Sequence, residues 1–468
     1  MNQEGRIAYL NARLLDPASG LDETGALLVE DGRIADFGAH LFRTGAPSVS
    51  EVVDCKGMVL APGLIDARVQ LREPGAEHKE TIETGAQAAA AGGVTAMLCL
   101  PNTDPPVDDV SVVEFIARRT RELKRSKVYS YAALTKGLKG EEITEIGLLS
   151  EAGAVAFTDS DRALSNAKVM KRAMSYAQTF DALIVQHPLE ETLSRGGVMN
   201  AGELATRLGL SGVPTVAETI QVERDLRLLE ATGGRLHFAH VTAPAALKAI
   251  AEAKKRGLDV TCDAAPHYFT LNENAVGDYR SFAKVMPPLR SEADRQALVE
   301  AIADGVVDLV ASDHSPHDQD SKRLPYEQAE FGVIGLQTLL PMTLELYHNG
   351  HLSLLQAMAL VTSKPAERFR VPGGRLKRGA AADLVLFDPD KPWTVREEDM
   401  LSKSKNTAFG DRPVQGQVLR TVLEFAEPRG DLRPFGLRTR LQLLHRTVQP
   451  RFQPLPFGLR HRAVCQRL

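Results

Sequence analysis

LHFAHVTAPAALKAIAEAKKRGLDVTCDA, residues 236–264, holds one complete strand–helix–strand unit. Its ends, LHFAHV (236–241) and DVTCDA (259–264), are short apolar runs with β-type residues. Between them PAALKAIAEAKKRG (244–257) repeats apolar residues every three or four positions, opens on Pro244 and stops at Gly257, the punctuation of an amphipathic helix. Outward from this unit the alternation recurs. LIDARVQL (64–71), VTAMLCLP (94–101), VYSYAAL (128–134), AVAFT (154–158), ALIVQH (182–187) and VDLVAS (307–312) bring the strand-like runs to eight. Helical stretches lie among them in ETGAQAAAAGG (83–93), VVEFIARRTRELK (112–124), NAKVMKRAMSYAQ (166–178) and VERDLRLLEA (222–231). This pattern predicts an α/β fold with a parallel (β/α)8 barrel. In such a barrel the strand C-termini line the ligand mouth, and Arg72, Asn102, His187, His240, His267 and Asp313 all fall at or just past those ends.

The flanks read differently. RIAYLNARLLD (6–16), GALLVEDGRIADFG (25–38) and VVDCKGMVLAPG (52–63) are strands joined by turns, and the texture returns in GGRLKRGAAADLVLFDPDKPWTV (373–395). The expected organisation is therefore a β-sandwich domain made from residues 1–61 and 372–422, interrupted by a barrel over 62–371. Residues 423–468 are rich in Arg and Pro, lack lysine and contain RPFGLR and LPFGLR. No packed fold is assigned to them; a basic docking tail, a disordered end and a stretch translated from a shifted frame are the readings open.

With 468 residues, 43% hydrophobic and 25% charged, the chain can bury a full core. A net charge of -4 gives no footprint for nucleic acid or an anionic membrane surface, so small molecules and proteins are the expected partners. The opening MNQEGRIAYLNARLLDP lacks the pattern of a secretory leader, no window reaches membrane-span length, and cytoplasmic residence is the expectation. Cys55, Cys99, Cys262 and Cys465 form no CxxC pair and read as reduced thiols.

APGLIDARVQLREPG (61–75), HKETIETGAQAAAAGGVT (78–95), MLCLPNTDPP (97–106), KVMPPLR (284–290), ASDHSPH (311–317), FGVIGLQT (331–338) and SKSKNT (402–407) resemble, in collinear order, the dihydroorotases of the cyclic amidohydrolase superfamily. The resemblance implies a metal-dependent barrel that interconverts carbamoyl aspartate and dihydroorotate. It also implies a His-x-His pair at the end of the first strand, whose imidazoles point to one face and grip a metal. Here those positions are Arg68 and Gln70. A guanidinium is permanently charged and has no lone pair to donate. About 4 Å from a divalent ion, at an effective dielectric near 20, it opposes binding by roughly 8 kcal/mol.

The bridging carboxylate implied by the family falls in the turn Thr158, Asp159, Ser160, Asp161, on Ser160 in the direct alignment and on Asp159 or Asp161 after a one-residue shift. His187 and His240 match the pair that holds the second metal, and Asp313 matches the catalytic carboxylate. Arg72, Asn102 and His317 match substrate contacts, while Met286 stands where an Asn is expected. The cofactor expectation is none or a single zinc. Three readings follow from the resemblance: a non-catalytic homologue that scaffolds aspartate transcarbamoylase as part of an oligomer, an active enzyme with one zinc on His187, His240 and Asp159 or Asp161, or a barrel that binds a carboxylate metabolite. If no metal is held, Arg68 is expected to pair with Asp313 or Asp66.

Overall fold

The computed structural model describes residues 5–43 and 48–424; the expectations for residues 425–468 lie outside that range. Eight parallel strands form the barrel: Leu64–Val69, Val94–Cys99, Lys127–Ser130 continued by Ala132–Ala133, Phe157–Thr158, Leu183–Gln186, Arg235–Phe238, Val260–Ala264 and Leu309–Val310. Closure comes from a parallel bridge between Val69 and His314, where the Gln70 amide donates to the His314 carbonyl at 2.8 Å. Each apolar run of the sequence became one of these strands because both of its faces are covered, by the barrel interior and by the outer helices.

The helices start where the side chains dictate. Thr81, Asp109, Asn166 and Ser291 cap Ile82–Ala91, Val110–Leu123, Ala167–Thr179 and Glu292–Ala303 by accepting from backbone amides. At the end of the first helix, Gly92 lies where an added Cβ would come within 2.1 Å of the Leu336 carbonyl, so only glycine allows the chain to pass there.

The β domain is a single seven-stranded sheet drawn from both flanks of the barrel. Val59–Pro62 lies between Arg6–Asp16 and Leu384–Thr394, which joins the N-terminal strands to the C-terminal ones. At the far edge Arg33 bridges to Ala381, and the Ile34 amide donates to the Ala380 carbonyl at 2.9 Å. The sheet thus closes on itself around Tyr9, Leu14, Leu27, Ile34, Leu60 and Leu384, and the two layers of the sandwich are arms of one sheet. Cys55, Cys99 and Cys262 are buried free thiols. Among the described residues no helix is long and apolar enough to cross a membrane.

One buried polar node ties together the segments that follow the fifth, sixth and seventh strands. Glu218, wholly buried, accepts from the Thr242 and Ala243 amides at 2.7 Å and from the Thr242 hydroxyl at 2.6 Å. Arg290 of the PPLR segment lies 3.4 Å away. Glu218→Ala strips these donors and leaves Arg290 buried beside no carboxylate, so a loss of about 3–5 kcal/mol is expected. The urea midpoint measures it, with Glu218→Gln losing less because it keeps a carbonyl acceptor.

Candidate functional site

Arg68 is the centre of the barrel mouth. It is 2% exposed; its Nε donates to Asp313 Oδ1 at 2.8 Å and its Nη2 to Asp161 Oδ1 at 2.7 Å, with the Ser160 carbonyl 3.3 Å from the same nitrogen. The ion pair expected of Arg68 with Asp313 is present. Asp66 is not a partner of the guanidinium: its carboxylate instead accepts from the amides of Arg68 and Ser312, and burial pushes its pKa up to about 6. Burial works against the Arg68 charge, but Asp313 and Asp161 outweigh it and raise its pKa.

Gln70 follows two residues along the strand, on the same face. Its amide donates to Asp161 Oδ2 at 3.0 Å, and its carbonyl accepts from Asn102 Nδ2 at 3.1 Å. Asn102 Nδ2 also lies 3.4 Å from Asp161 Oδ2. Asp159 faces elsewhere: both its oxygens are taken by Thr135, from the amide at 2.9 Å and the hydroxyl at 2.6 Å. Of the two acids left open by the sequence, only Asp161 therefore reaches the mouth. Ser160 offers its carbonyl to Arg68, and its buried hydroxyl has no partner.

His187 and His240 are brought together, with Nδ1 of the first 2.6 Å from Nε2 of the second. Burial, then His240 and Arg68, push the His187 pKa well below the usual histidine value. His240 Nδ1 approaches Asp313 Oδ2 at 3.4 Å and His267 Nε2 approaches it at 4.0 Å. Burial lowers His267 to about 4. Asp313 is held well below the usual carboxylate range: burial alone would raise it, but His240, Arg68 and His267 prevail. Arg72, Ser160, His240 and Asp313 all have positive φ, between 41° and 60°, a clustering of strained backbone that marks functional sites.

A second group lies beside the first. Arg72 Nη2 donates to the Ser315 hydroxyl at 3.1 Å and lies 3.1 Å from His317 Nε2, while Lys79 Nζ lies 3.4 Å from His317 Nδ1. Burial, then Arg72 and Lys79, lower His317 to about 2, so its ring is neutral. A neutral imidazole has one acceptor nitrogen, so it cannot satisfy both cations. Met286 stands apart from these groups and packs on Leu189, Val213 and Ala217.

Sequence reasoning passed over Lys79, Glu80 and His314. Glu80, fully buried, accepts from the Ser402 hydroxyl and from the Lys403 amide at 3.1 Å, and lies 3.4 Å from His314 Nε2. Asn406 accepts from the His317 amide at 3.1 Å and donates to the Ser315 carbonyl at 3.0 Å. The SKSKNT stretch is thus a strap that ties the loops after the first and last strands together. The motifs HKET, ASDHSPH and SKSKNT were visible, but only their meeting in space gives them this task.

The Dihydro-orotase-like family matches residues 57–245. The dihydroorotase of Wolbachia sp. subsp. Drosophila simulans (strain wRi) is 46% identical over 419 residues, covering 89% of this chain and 94% of the relative. The dihydroorotase of Anaplasma phagocytophilum (strain HZ) is 46% identical over 423 residues, covering 90% and 94%. The chain belongs to the dihydroorotase family. Among solved structures, the L-hydantoinase (dihydropyrimidinase) of Arthrobacter aurescens superposes with a TM-score of 0.79 at 26% identity, covering 90% of this chain and 96% of that one. The dihydropyrimidinase of Brevibacillus agri NCHU1002, at 21% identity and a TM-score of 0.75, shares the fold.

The metal that the family implies can be tested against the donors present. Two positions suited to ligands hold a guanidinium and a carboxamide, Asp313 and Asp161 are both occupied by that guanidinium, and Asp159 is turned to Thr135. Among the described residues no group of three His, Cys, Asp or Glu side chains is arranged to hold a metal ion. A two-metal centre does not fit this donor set.

Arg68→Ala leaves Asp313 buried without its permanent counter-charge, and a loss of about 3–5 kcal/mol at neutral pH is expected. A carboxylate with a depressed folded pKa contributes stability above its unfolded value, near 3.9, and that contribution is lost as pH falls through the folded value. In the variant His240 and His267 still favour the Asp313 charge but Arg68 no longer does, so its folded pKa moves up towards the unfolded value. The stability gap between the two proteins should therefore narrow as pH falls below about 4; a gap that stays constant there in urea titrations would argue against this pairing.

Proposed function

We propose that this protein is a non-catalytic dihydroorotase homologue of pyrimidine biosynthesis, working in the cytoplasm, in which a side-chain cation takes the place of the metal. The observation that carries the reading is the Arg68 guanidinium bound at once to Asp313 and Asp161, at 2.8 and 2.7 Å. Hydrolysis of a ring amide needs an activated water and a carboxylate free to move a proton. Lowering the pKa of water from about 15.7 to about 7 corresponds to roughly 12 kcal/mol, ordinarily the metal's contribution. Arg68 has no lone pair for that task, and by holding Asp313 ionised and occupied it opposes proton transfer there.

A barrel kept without chemistry has its surface left to offer, and the partner proposed is aspartate transcarbamoylase, with this chain as scaffold in a mixed oligomer. The purified chain should give no dihydroorotate turnover and bind less than one equivalent of zinc. It should also co-purify with the transferase and restore its assembly. Arg68→His combined with Gln70→His is expected to raise zinc binding to stoichiometric levels. Stoichiometric zinc in the unaltered chain, with turnover abolished by chelator and by His187→Ala, would instead establish the active single-zinc enzyme.

A specific observation favours a second reading, a bound carboxylate metabolite. Among the described residues neither Arg72 nor Lys79 has a carboxylate within ion-pair distance, and the neutral His317 between them accepts from only one. An anion would complete that group. Calorimetry with carbamoyl aspartate and dihydroorotate should detect heat that Arg72→Ala removes.

A further inference from the structure

We infer that Arg68, Gln70 and Asn102 form an anion site at the barrel mouth and that the chain's own Asp161 occupies it, so an external carboxylate enters only when the Asp161 turn withdraws. The inference deepens the carboxylate-binding reading and rests on it in assuming that a small acid reaches the mouth.

The contacts of Asp161 are those of a bound ligand. Its Oδ1 accepts from Arg68 Nη2 at 2.7 Å, and its Oδ2 accepts from Gln70 Nε2 at 3.0 Å, with Asn102 Nδ2 at 3.4 Å. Three donors from the ends of two neighbouring strands therefore converge on one carboxylate. Exposure separates the two sides of the contact: the Asp161 side chain is 50% exposed, the Arg68 side chain 2%. The acid thus covers buried donors from the solvent side, on a turn rather than on a packed element.

The turn itself is under strain. Ser160 has φ 60°, a left-handed conformation that a residue with a Cβ adopts at a cost, and its carbonyl faces Arg68 Nη2 at 3.3 Å. Withdrawing the turn breaks these contacts and frees Ser160 to leave that conformation. An independent observation points to a further acceptor. Among the described residues Arg68 Nη1 is buried with no partner, although Asp313 and Asp161 already take the other guanidinium nitrogens. A buried donor left empty is costly, and an incoming carboxylate or carbamoyl oxygen would fill it.

The occupant that fits is a small dicarboxylate, or a monocarboxylate carrying a carbamoyl group. One end takes the donors released by Asp161, and the other faces the uncompensated Arg72 and Lys79. The tethered acid competes with an effective concentration on the order of millimolar or more, so the unaltered chain should bind weakly.

Calorimetry on the full chain in chelator, with malonate, succinate and N-carbamoyl-aspartate as probes, tests this. Asp161→Ala should bind at least one probe at least tenfold more tightly than the unaltered chain. Asp161→Asn, which keeps an acceptor oxygen but loses the charge, should fall between them. Gln70→Ala placed on Asp161→Ala should reverse most of the gain while the circular dichroism spectrum stays unchanged. A folded Asp161→Ala that binds every probe no better than the unaltered chain, with or without added zinc, overturns the inference and leaves the non-catalytic reading standing. Tight binding that appears only with zinc overturns both.

Discussion

The structure of the mouth depends on one guanidinium shared between two carboxylates. Arg68 comes from the first strand, Asp313 from the segment after the last, and Asp161 from the turn after the fourth, so a single side chain ties three sectors of the ring together. Taking a cation out of water costs several kcal/mol, and a buried pair offsets this only with good geometry and further hydrogen bonds. Both conditions hold here. Gln70 and Asn102 satisfy the second oxygen of Asp161, and the Ser160 carbonyl supplements Nη2. Gln70 and Arg68 are best understood as one unit, since a donor at either position alone would hold only one oxygen of Asp161.

That same pairing is what the proposed non-catalytic reading rests on. A carboxylate whose pKa is held well below the usual range is a weak base, and, against burial, His240 and then the permanent charge of Arg68 hold Asp313 there. The two imidazoles retained from the family pattern face each other at 2.6 Å, and burial keeps His187 neutral. What persists is a polar mouth in which, among the described residues, Arg72 and Lys79 have no carboxylate partner and Nη1 of Arg68 has no acceptor, beside atoms of Asp66, Ser160, His240 and His267 that lack a hydrogen-bond partner. The uncompensated cations are what the proposed anion-binding reading draws on.

The barrel was legible in the sequence because each strand is buried on both faces and so reads as an unbroken apolar run, while each helix buries one stripe and reads with a period near 3.6. The loss of the His-x-His pair was legible too, since two residues apart on a strand means one face whatever the details of the fold. The turn at Asp159–Asp161 could not be resolved in that way. Which acid enters the mouth is decided by the Thr135 amide and hydroxyl, which draw Asp159 away, and Thr135 lies on a different strand–loop unit. The strap was likewise hidden: Glu80 lies far along the chain from both His314 and Ser402, 322 residues from the latter, and meets them only where the barrel closes and the strap crosses it.

The frame and the reaction groups are physically separable in this molecule. The buried nodes that hold the frame lie away from the mouth: Glu218 with Thr242 and Arg290, Glu80 with Ser402 and His314, and Asp225 with Gln186, which in turn accepts from the Leu164 amide. Changes at Arg68, Gln70 and Met286 leave each of these untouched. A metal-held mouth would derive part of its stability from a dissociable ion, and that part would vary with the free metal concentration. A guanidinium carried on the chain is present in every folded copy. The barrel therefore keeps a cation at its mouth whatever the metal supply, and that constancy is consistent with the scaffold role proposed above.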